Sequence, residues 1–487
     1  MADTDAPHDD DPSRRRIVRD PLARATLLVG APLALAMALQ VLFNLVDQYL
    51  IARLPPAVAD PSLDALGICD MVAALGTIVS YGVSSATATL VSQAKGRQDD
   101  RRAAEIGWGS VGLVTVFGLA LGALTVAFAD PIVHLALGAK GVVRSLAVSY
   151  LRVIVGGSVT VFVMFQITAV ARALGQTRLP LATFVAGNVL NLFLAVLMVY
   201  GPGEAPWVFS WGPPLAAALH IPRMEVVGAA WATVIARALA CAVPMALLAR
   251  SLKVRAYGAR FLPGRALTRE IVSLAWPTSA QFVVRTSAVL LVIGLVHHAY
   301  TTSADSTAGT AYALCLRAET MALFVSMGWG SAAQTFVGMN LGASQPERAE
   351  RAAWWLAGYT ALTMLGLAAL FFAFGRTFLG FFSGNPAVLD QAMGYLTRVA
   401  PAYTAFGVAI VLGNAVVGAG AARLALKTDL GLVAALQLPL LVAVTTLLRA
   451  PPLGLWNALV FVHLLSALVY AHLWRSPSRW RPSEPRP

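Results

Sequence analysis

Apolar stretches of twenty residues or more follow one another along nearly the whole chain, separated by short polar segments. A stretch of that length crosses roughly 30 Å of hydrocarbon as a helix. The pattern predicts twelve membrane helices, at about 23–52, 63–92, 106–129, 142–172, 178–200, 226–250, 269–298, 308–338, 352–376, 388–417, 424–447 and 453–474. Several exceed what a straight crossing needs, so helices that project, tilt or kink are expected. The fold class that follows is an all-α polytopic membrane protein.

The pattern is also written twice. Val91 to Gly96, Arg102, Ala103 and Trp108 recur 246 residues later as Val337 to Gly342, Arg348, Ala349 and Trp354. At the same offset, give or take one, Arg24 pairs with Arg269, Pro32 with Pro277, Tyr150-Leu151 with Tyr395-Leu396, and Gly175 with Gly420. A duplicated polytopic chain is the signature of a secondary transporter with its substrate path at the repeat interface. Each half holds six helices, an even number, so both copies begin and end on one side. Two parallel six-helix bundles related by a pseudo-twofold axis along the membrane normal are therefore expected.

Composition agrees: 58% of residues are hydrophobic and 12% charged, against about a quarter charged in soluble domains. The formal charge of +12 raises the question of nucleic acid, and its distribution answers it. Of the 36 Lys and Arg residues, the termini and alternate loops carry 25, the opposite loops six and the helices five. That asymmetry puts both termini in the cytoplasm and assigns the basic excess to topology and anionic headgroups, not nucleic acid. The expected organisation is a disordered cytoplasmic segment at 1–20, an N-lobe at 21–250, a basic linker at 251–268, a C-lobe at 269–475 and a tail at 476–487. Cys69, Cys241 and Cys315 lack metal-like spacing and read as small apolar residues. There is no phosphate-binding loop of the G-x-x-x-x-G-K-[ST] type and no soluble stretch for a catalytic domain, so an enzyme is not expected. His297-His298 has no third metal ligand at helical spacing, and no metal site is predicted.

Charges at bilayer depth are costly and mark function by default. Asp47 is the sharpest, sharing one face of the first helix with Gln40 and Asn44. Pro32 precedes this stripe, removes a backbone donor and is the expected hinge. A carboxylate there can take up a proton or a sodium ion; the plainer role is an interhelical hydrogen bond. Asn188 and Asn191 on the fifth helix can face the same lobe interior and bond a substrate or the Asp47 carboxyl, or act only as packing glue. Ser80, Ser84 and Thr87 read as close-packing positions, and Asp70 as a residue near the outer end of its helix. In the C-lobe, Arg285 sits mid-span, and Glu319 is the expected partner for Arg285 or Arg317, as brace or gate. Arg152, Arg237 and Arg398 read as residues that snorkel to headgroups.

These residues resemble the multidrug and toxic compound extrusion (MATE) family, within a larger group that includes polysaccharide flippases. The resemblance spans about 20–475. It is carried by Phe43-Asn44-Leu45-Val46-Asp47 with Ile51-Ala52-Arg53-Leu54, by Thr89 to Gly96, by Arg172 to Arg178, by Gly187 to Asn191, by Val227 to Thr233 and by Leu316 to Glu319. It implies two six-helix bundles forming a V-shaped exporter driven by proton or sodium entry, with Asp47 as a coupling or substrate residue and Asn191 in the same cavity. The chain departs from the family at three positions. Ala195 stands where many relatives have an Asp, Arg285 where one branch has a Glu, and Phe406 where that branch has an Asp. Coupling is therefore expected in the N-lobe.

The expected function is export of organic, cationic or amphipathic compounds across a bacterial inner membrane, coupled to proton or less favourably sodium entry through Asp47. No cofactor beyond the ion gradient is expected, and the protein is expected to act as a monomer. The alternative is a lipid-linked glycan or lipid flippase, which would line its cleft with cations such as Arg285, Arg317 and Arg237 to hold a pyrophosphate.

Overall fold

The computed structural model describes residues 11–136, 138–302 and 305–480, apart from the side chains of residues 42–45, 71 and 136. All regular structure among the described residues is helical. A short helix, α1 (Pro12–Val18), precedes α2 (Leu22–Ala52), α3 (Pro56–Gly96), α4 (Asp100–Pro131), α5 (Gly141–Ile154), α6 (Ser158–Ala173), α7 (Arg178–Tyr200) and α8 (Glu225–Ser251). The second half holds α9 (Arg265–Tyr300), α10 (Thr307–Gly342), α11 (Pro346–Gly380), α12 (Pro386–Gly418), α13 (Ala422–Leu447, opened by wide turns) and α14 (Pro452–Trp474). Proline opens α3, α11, α12 and α14, where its missing N–H has no intrahelical partner to lose. Asp99 caps α4 by accepting from the Arg102 amide at 2.9 Å.

Among the described residues, ten helices are long and apolar enough to cross a membrane. The predicted fourth span is two helices, α5 and α6, which meet at 42° across residues 155–157. Gly156 and Gly157 sit at that break, and the Gly156 carbonyl presses onto α4, 2.5 Å from where a Cβ on Gly122 would lie. The remaining predicted span, α10, runs for 36 residues but fails the same apolarity test. It need not pass, because it is packed among α2, α3, α11 and α12 and faces protein rather than lipid. Leu75, Leu119, Phe374 and Leu468, by contrast, are exposed on outer helix faces, as a hydrocarbon solvent requires.

The duplication is visible as paired detail. The Cys69 thiol donates to the Ala147 carbonyl at 3.3 Å, and Cys315 donates to the Ala392 carbonyl at 3.5 Å. Arg144 pairs with Asp130 at 2.7 Å, and Arg376 pairs with Asp390 at 2.6 Å. Each position maps onto its mate at the repeat offset, with the two signs exchanged. Gly175 and Gly420 both turn the chain with positive φ, at 77° and 89°, a conformation open to glycine.

The lobes cross where α3 and α10 end. A Cβ on Gly96 would fall 2.1 Å from the Met339 carbonyl, and one on Gly342 would fall 2.2 Å from the Gln93 carbonyl. These are repeat-related pairs, so the pseudo-twofold axis passes between them. Away from the axis, Gly82 of α3 meets Ala275 and Ser279 of α9, and Gly328 of α10 meets Leu33 and Ala34 of α2. Small residues allow these backbones to touch, the usual way helices approach without a hydrophobic drive between them. A polar clasp adds to the closure. Gln334 donates to the Ser85 carbonyl at 2.7 Å and the Thr89 hydroxyl at 2.8 Å, and Gln93 donates to the Gly418 carbonyl at 3.1 Å.

Residues 12–18, expected within a disordered segment, instead form α1 and strap the same end; residues 1–10 lie outside the described residues. The carbonyls that end α3 need donors. Arg14 supplies them, to Lys95 at 3.2 Å and Gly96 at 3.0 Å, while Arg348 of α11 holds the Ile17 carbonyl at 3.1 Å. Ile17 and Val18 are buried in the C-lobe core beside Trp474 and Trp480. Trp480, placed by its sequence in a tail, stacks on Trp474 at 4.1 Å, and residues 481–487 lie outside the described residues. The linker also docks: Phe261 packs edge-on against Trp108 of α4 at 5.6 Å.

Candidate functional site

Between the lobes lies a cavity of about 360 Å³, walled chiefly by α2, α3, α5, α6 and α8 and, across the cleft, by α9, α10 and α12. The clasp residues Ser85 and Gln334 form its floor. Aromatic side chains Tyr81, Phe162, Phe165, Phe282 and Phe324 line its flanks, with Tyr81 and Phe282 in contact across the lobes at 5.1 Å.

Asp47 is in the wall of this cavity and only 5% exposed. Its Oδ2 accepts the Thr233 hydroxyl at 2.8 Å, and its Oδ1 lies 3.4 Å from the Asn191 amide nitrogen. Asn191 also donates to the Thr233 Oγ1 at 2.9 Å, closing a triangle across α2, α7 and α8. Such a triangle stays hydrogen-bonded whether or not the carboxyl carries a proton, because Thr233 can donate to or accept from it. Gln40 lies along the same face and lines the cavity, with its Oε1 buried and reached by no protein donor among the described residues. The Asn44 side chain lies outside the described residues.

Asn188 is elsewhere. Its amide donates to the Leu39 carbonyl at 3.1 Å and the Phe184 carbonyl at 2.8 Å, which ties α7 to α2 without reaching the cavity. Pro32 lies inside α2, which runs past it as one helix. Ser84 faces the cavity and donates to Gln166, which in turn donates to Ser110 at 2.7 Å. Asp70 is exposed at the cavity rim.

The C-lobe ionic group differs from the expected one. Arg285 pairs with Asp429 of α13 at 2.6 Å, not with Glu319. Asp429 also accepts the Tyr470 hydroxyl, and it is 5% exposed. Glu319 instead accepts from Tyr395 at 2.9 Å inside the lobe, and Arg317 lies over the Phe382 ring at 4.4 Å. The cause is packing: α13 lies against α9 and brings its one carboxylate to Arg285. A visible signal existed, since Asp429 is the sole acidic residue of the predicted eleventh span.

Two cavity cations were also misassigned. Arg237, read as snorkelling, is buried on α8 and lines the cavity near Asp47 and Asp70. Its position near the middle of the predicted sixth span was the missed cue. Arg172, counted among the loop residues, lines the cavity from the last turn of α6. His297 and His298 are exposed at the end of α9.

Comparison with known proteins agrees with this architecture. The family model described as MatE matches residues 32–197 and 280–442, one block in each lobe. The chain is 24% identical over 407 residues to the FAD transporter of Shewanella oneidensis, covering 82% of this chain and 83% of that protein. It is 24% identical over 457 residues to the probable multidrug resistance protein YpnP of Bacillus subtilis, covering 93% and 95%. Among solved structures, an outward-facing conformation of a multidrug resistance MATE family transporter of the MOP superfamily aligns with a TM-score of 0.80. The identity there is 18%, over 95% of this chain and 97% of that one.

Proposed function

The chain belongs to the MatE family and is a membrane transporter rather than an enzyme, and on that footing we propose that it is a secondary exporter of amphipathic organic compounds coupled to proton entry through Asp47. Both termini are cytoplasmic in this reading, so the clasped end faces the cytoplasm and the cavity opens outward. The observation that carries the proposal is Asp47 itself, a buried carboxyl in the wall of the inter-lobe cavity, held by two uncharged partners on two other helices. Protonation from outside removes its charge and loosens a cationic or dipolar substrate. Movement of α2 at Pro32 then transmits the change, since a proline leaves a preceding carbonyl without its helical donor. Proton is preferred to sodium because the supporting groups include one carboxylate and few oxygens, whereas hard cations take several oxygen ligands. The protein works as a monomer in the bacterial inner membrane.

The flippase alternative has less support. Of the three cations it would use, Arg285 is neutralised by Asp429, Arg317 lies on an aromatic ring, and Arg237 alone lines the cavity, where it stands near Asp47 and Asp70. The test is efflux of a cationic dye from proteoliposomes under an imposed pH gradient. Asp47→Asn is expected to abolish the pH-driven component, and unchanged pH-driven efflux overturns the assignment.

A further inference from the structure

Two cations of this fold, Lys95 and Arg285, are ion-paired. Lys95 is held by Asp11 and Asp100, each at 2.7 Å, and Arg285 by Asp429 at 2.6 Å. Arg172, half-buried, is not paired in this way. Among the described residues no carboxylate lies within 4.0 Å of it, its Nη1 reaches only the Thr168 hydroxyl at 3.4 Å, and its Nε is buried without a partner. An uncompensated guanidinium away from bulk water is costly, and this one lines the cavity.

Its place in the cavity matters as much. Tyr81 is its electrostatic neighbour, whereas the cavity carboxylates lie towards the other end. Along α3, Asp70 and Tyr81 are separated by about 16 Å at 1.5 Å per residue. The cavity therefore differs along its length, with Asp47, Asp70 and Arg237 beyond an aromatic midsection and Arg172, which has no carboxylate beside it, by the clasp. A guanidinium presents a planar fork of donors that matches a carboxylate or phosphate in two parallel hydrogen bonds.

We propose that Arg172 is an anion-recognition subsite, and that the transported class includes aromatic compounds bearing a carboxylate or phosphate that docks on Arg172 while the ring lies against the touching Tyr81 and Phe282 side chains. This proposal rests on the exporter reading and extends it: beside cationic amphiphiles, which leave the guanidinium unmatched, the cavity takes aromatic anions and zwitterions that satisfy it.

Riboflavin and riboflavin 5′-phosphate test this directly, because they share one fluorescent ring system and differ by a single phosphate. Each is titrated against the purified full-length protein in detergent, as wild type, Arg172→Gln and Arg172→Lys. A charge-assisted bidentate contact predicts binding of the phosphate form roughly tenfold tighter or more than riboflavin by the wild type. In Arg172→Gln the phosphate form is expected to fall to the riboflavin value, while Arg172→Lys keeps part of the preference. Equal affinities in the wild type, no binding of either flavin, or a preference that survives in Arg172→Gln overturns the subsite. The wild-type result stands even if Arg172→Gln fails to fold. Proton-driven dye efflux by the wild type reports separately on the exporter reading: efflux without a phosphate preference sinks only the subsite, and a phosphate preference without efflux sinks only the exporter.

Discussion

Each lobe holds a buried carboxylate that joins three helices, and the two differ in what they leave open. In the N-lobe, Asp47 is tied to Thr233 and Asn191, both uncharged, and lies in the cavity wall. In the C-lobe, Asp429 is tied to Arg285 and Tyr470 and lies off the cavity. The first can change its charge and be felt by a ligand. The second is a neutral brace that joins α9, α13 and α14. Duplication preserved the packing frame, down to the Cys69 and Cys315 hydrogen bonds, while the chemistry was kept on one side.

The comparison is broken most strongly by moving charge in each lobe. Asp47→Asn is expected to lower proton-driven efflux by two orders of magnitude or more with little loss of folding, since the amide retains the Thr233 contact. Asp429→Ala is expected to do the reverse. Its removal leaves Arg285 buried without a counter-charge, at a cost of about 3 kcal/mol, read as a lower unfolding temperature in detergent. The double variant Arg285→Met with Asp429→Leu should recover that stability and keep efflux within a few-fold of wild type. Efflux lost in the double variant would place coupling chemistry in the C-lobe as well.

A smaller effect is expected at the crossing of the lobes. Alanine at Gly96 puts a methyl 2.1 Å from the Met339 carbonyl, and alanine at Gly342 puts one 2.2 Å from the Gln93 carbonyl. Overpacking of this kind costs about 1–3 kcal/mol. It is expected to part the clasped end, read as greater spin-label distances between α3 and α10, and equal distances in variant and wild type would contradict a tight axis. The smallest effect belongs to the sign-exchanged pairs. Asp390 and Arg376 are both more than half exposed, and exposed pairs contribute about 0–1 kcal/mol. Arg376→Ala should leave efflux unchanged and the unfolding temperature almost so.

Much of this was legible in the chain. Helix number, repeat offset and the Asp47 stripe follow from periodicity and from the cost of charge in hydrocarbon, which act locally along one helix. Asn191 was found as well, because it shares a face with residues at helical spacing. The failures are all tertiary. Which acid reaches Arg285 depends on α13 lying against α9, and a one-dimensional pattern does not say which helices are neighbours. Arg172 sits at a helix end, where charge counting assigns residues to loops, yet the last turn of α6 presents it to the cavity. Residues 12–18 look polar and short, and they are helical because α3 offers unpaired carbonyls and the C-lobe offers a seat for Ile17 and Val18.

The central claim is that substrate and proton compete through Asp47. Proton release on binding of a cationic dye to the purified protein, followed in weakly buffered solution with a pH indicator, tests it most directly. Linkage predicts release of up to about one proton per bound dye by the wild type and none by Asp47→Asn. Equal release from both proteins, or no release from the wild type at any pH, would contradict the account.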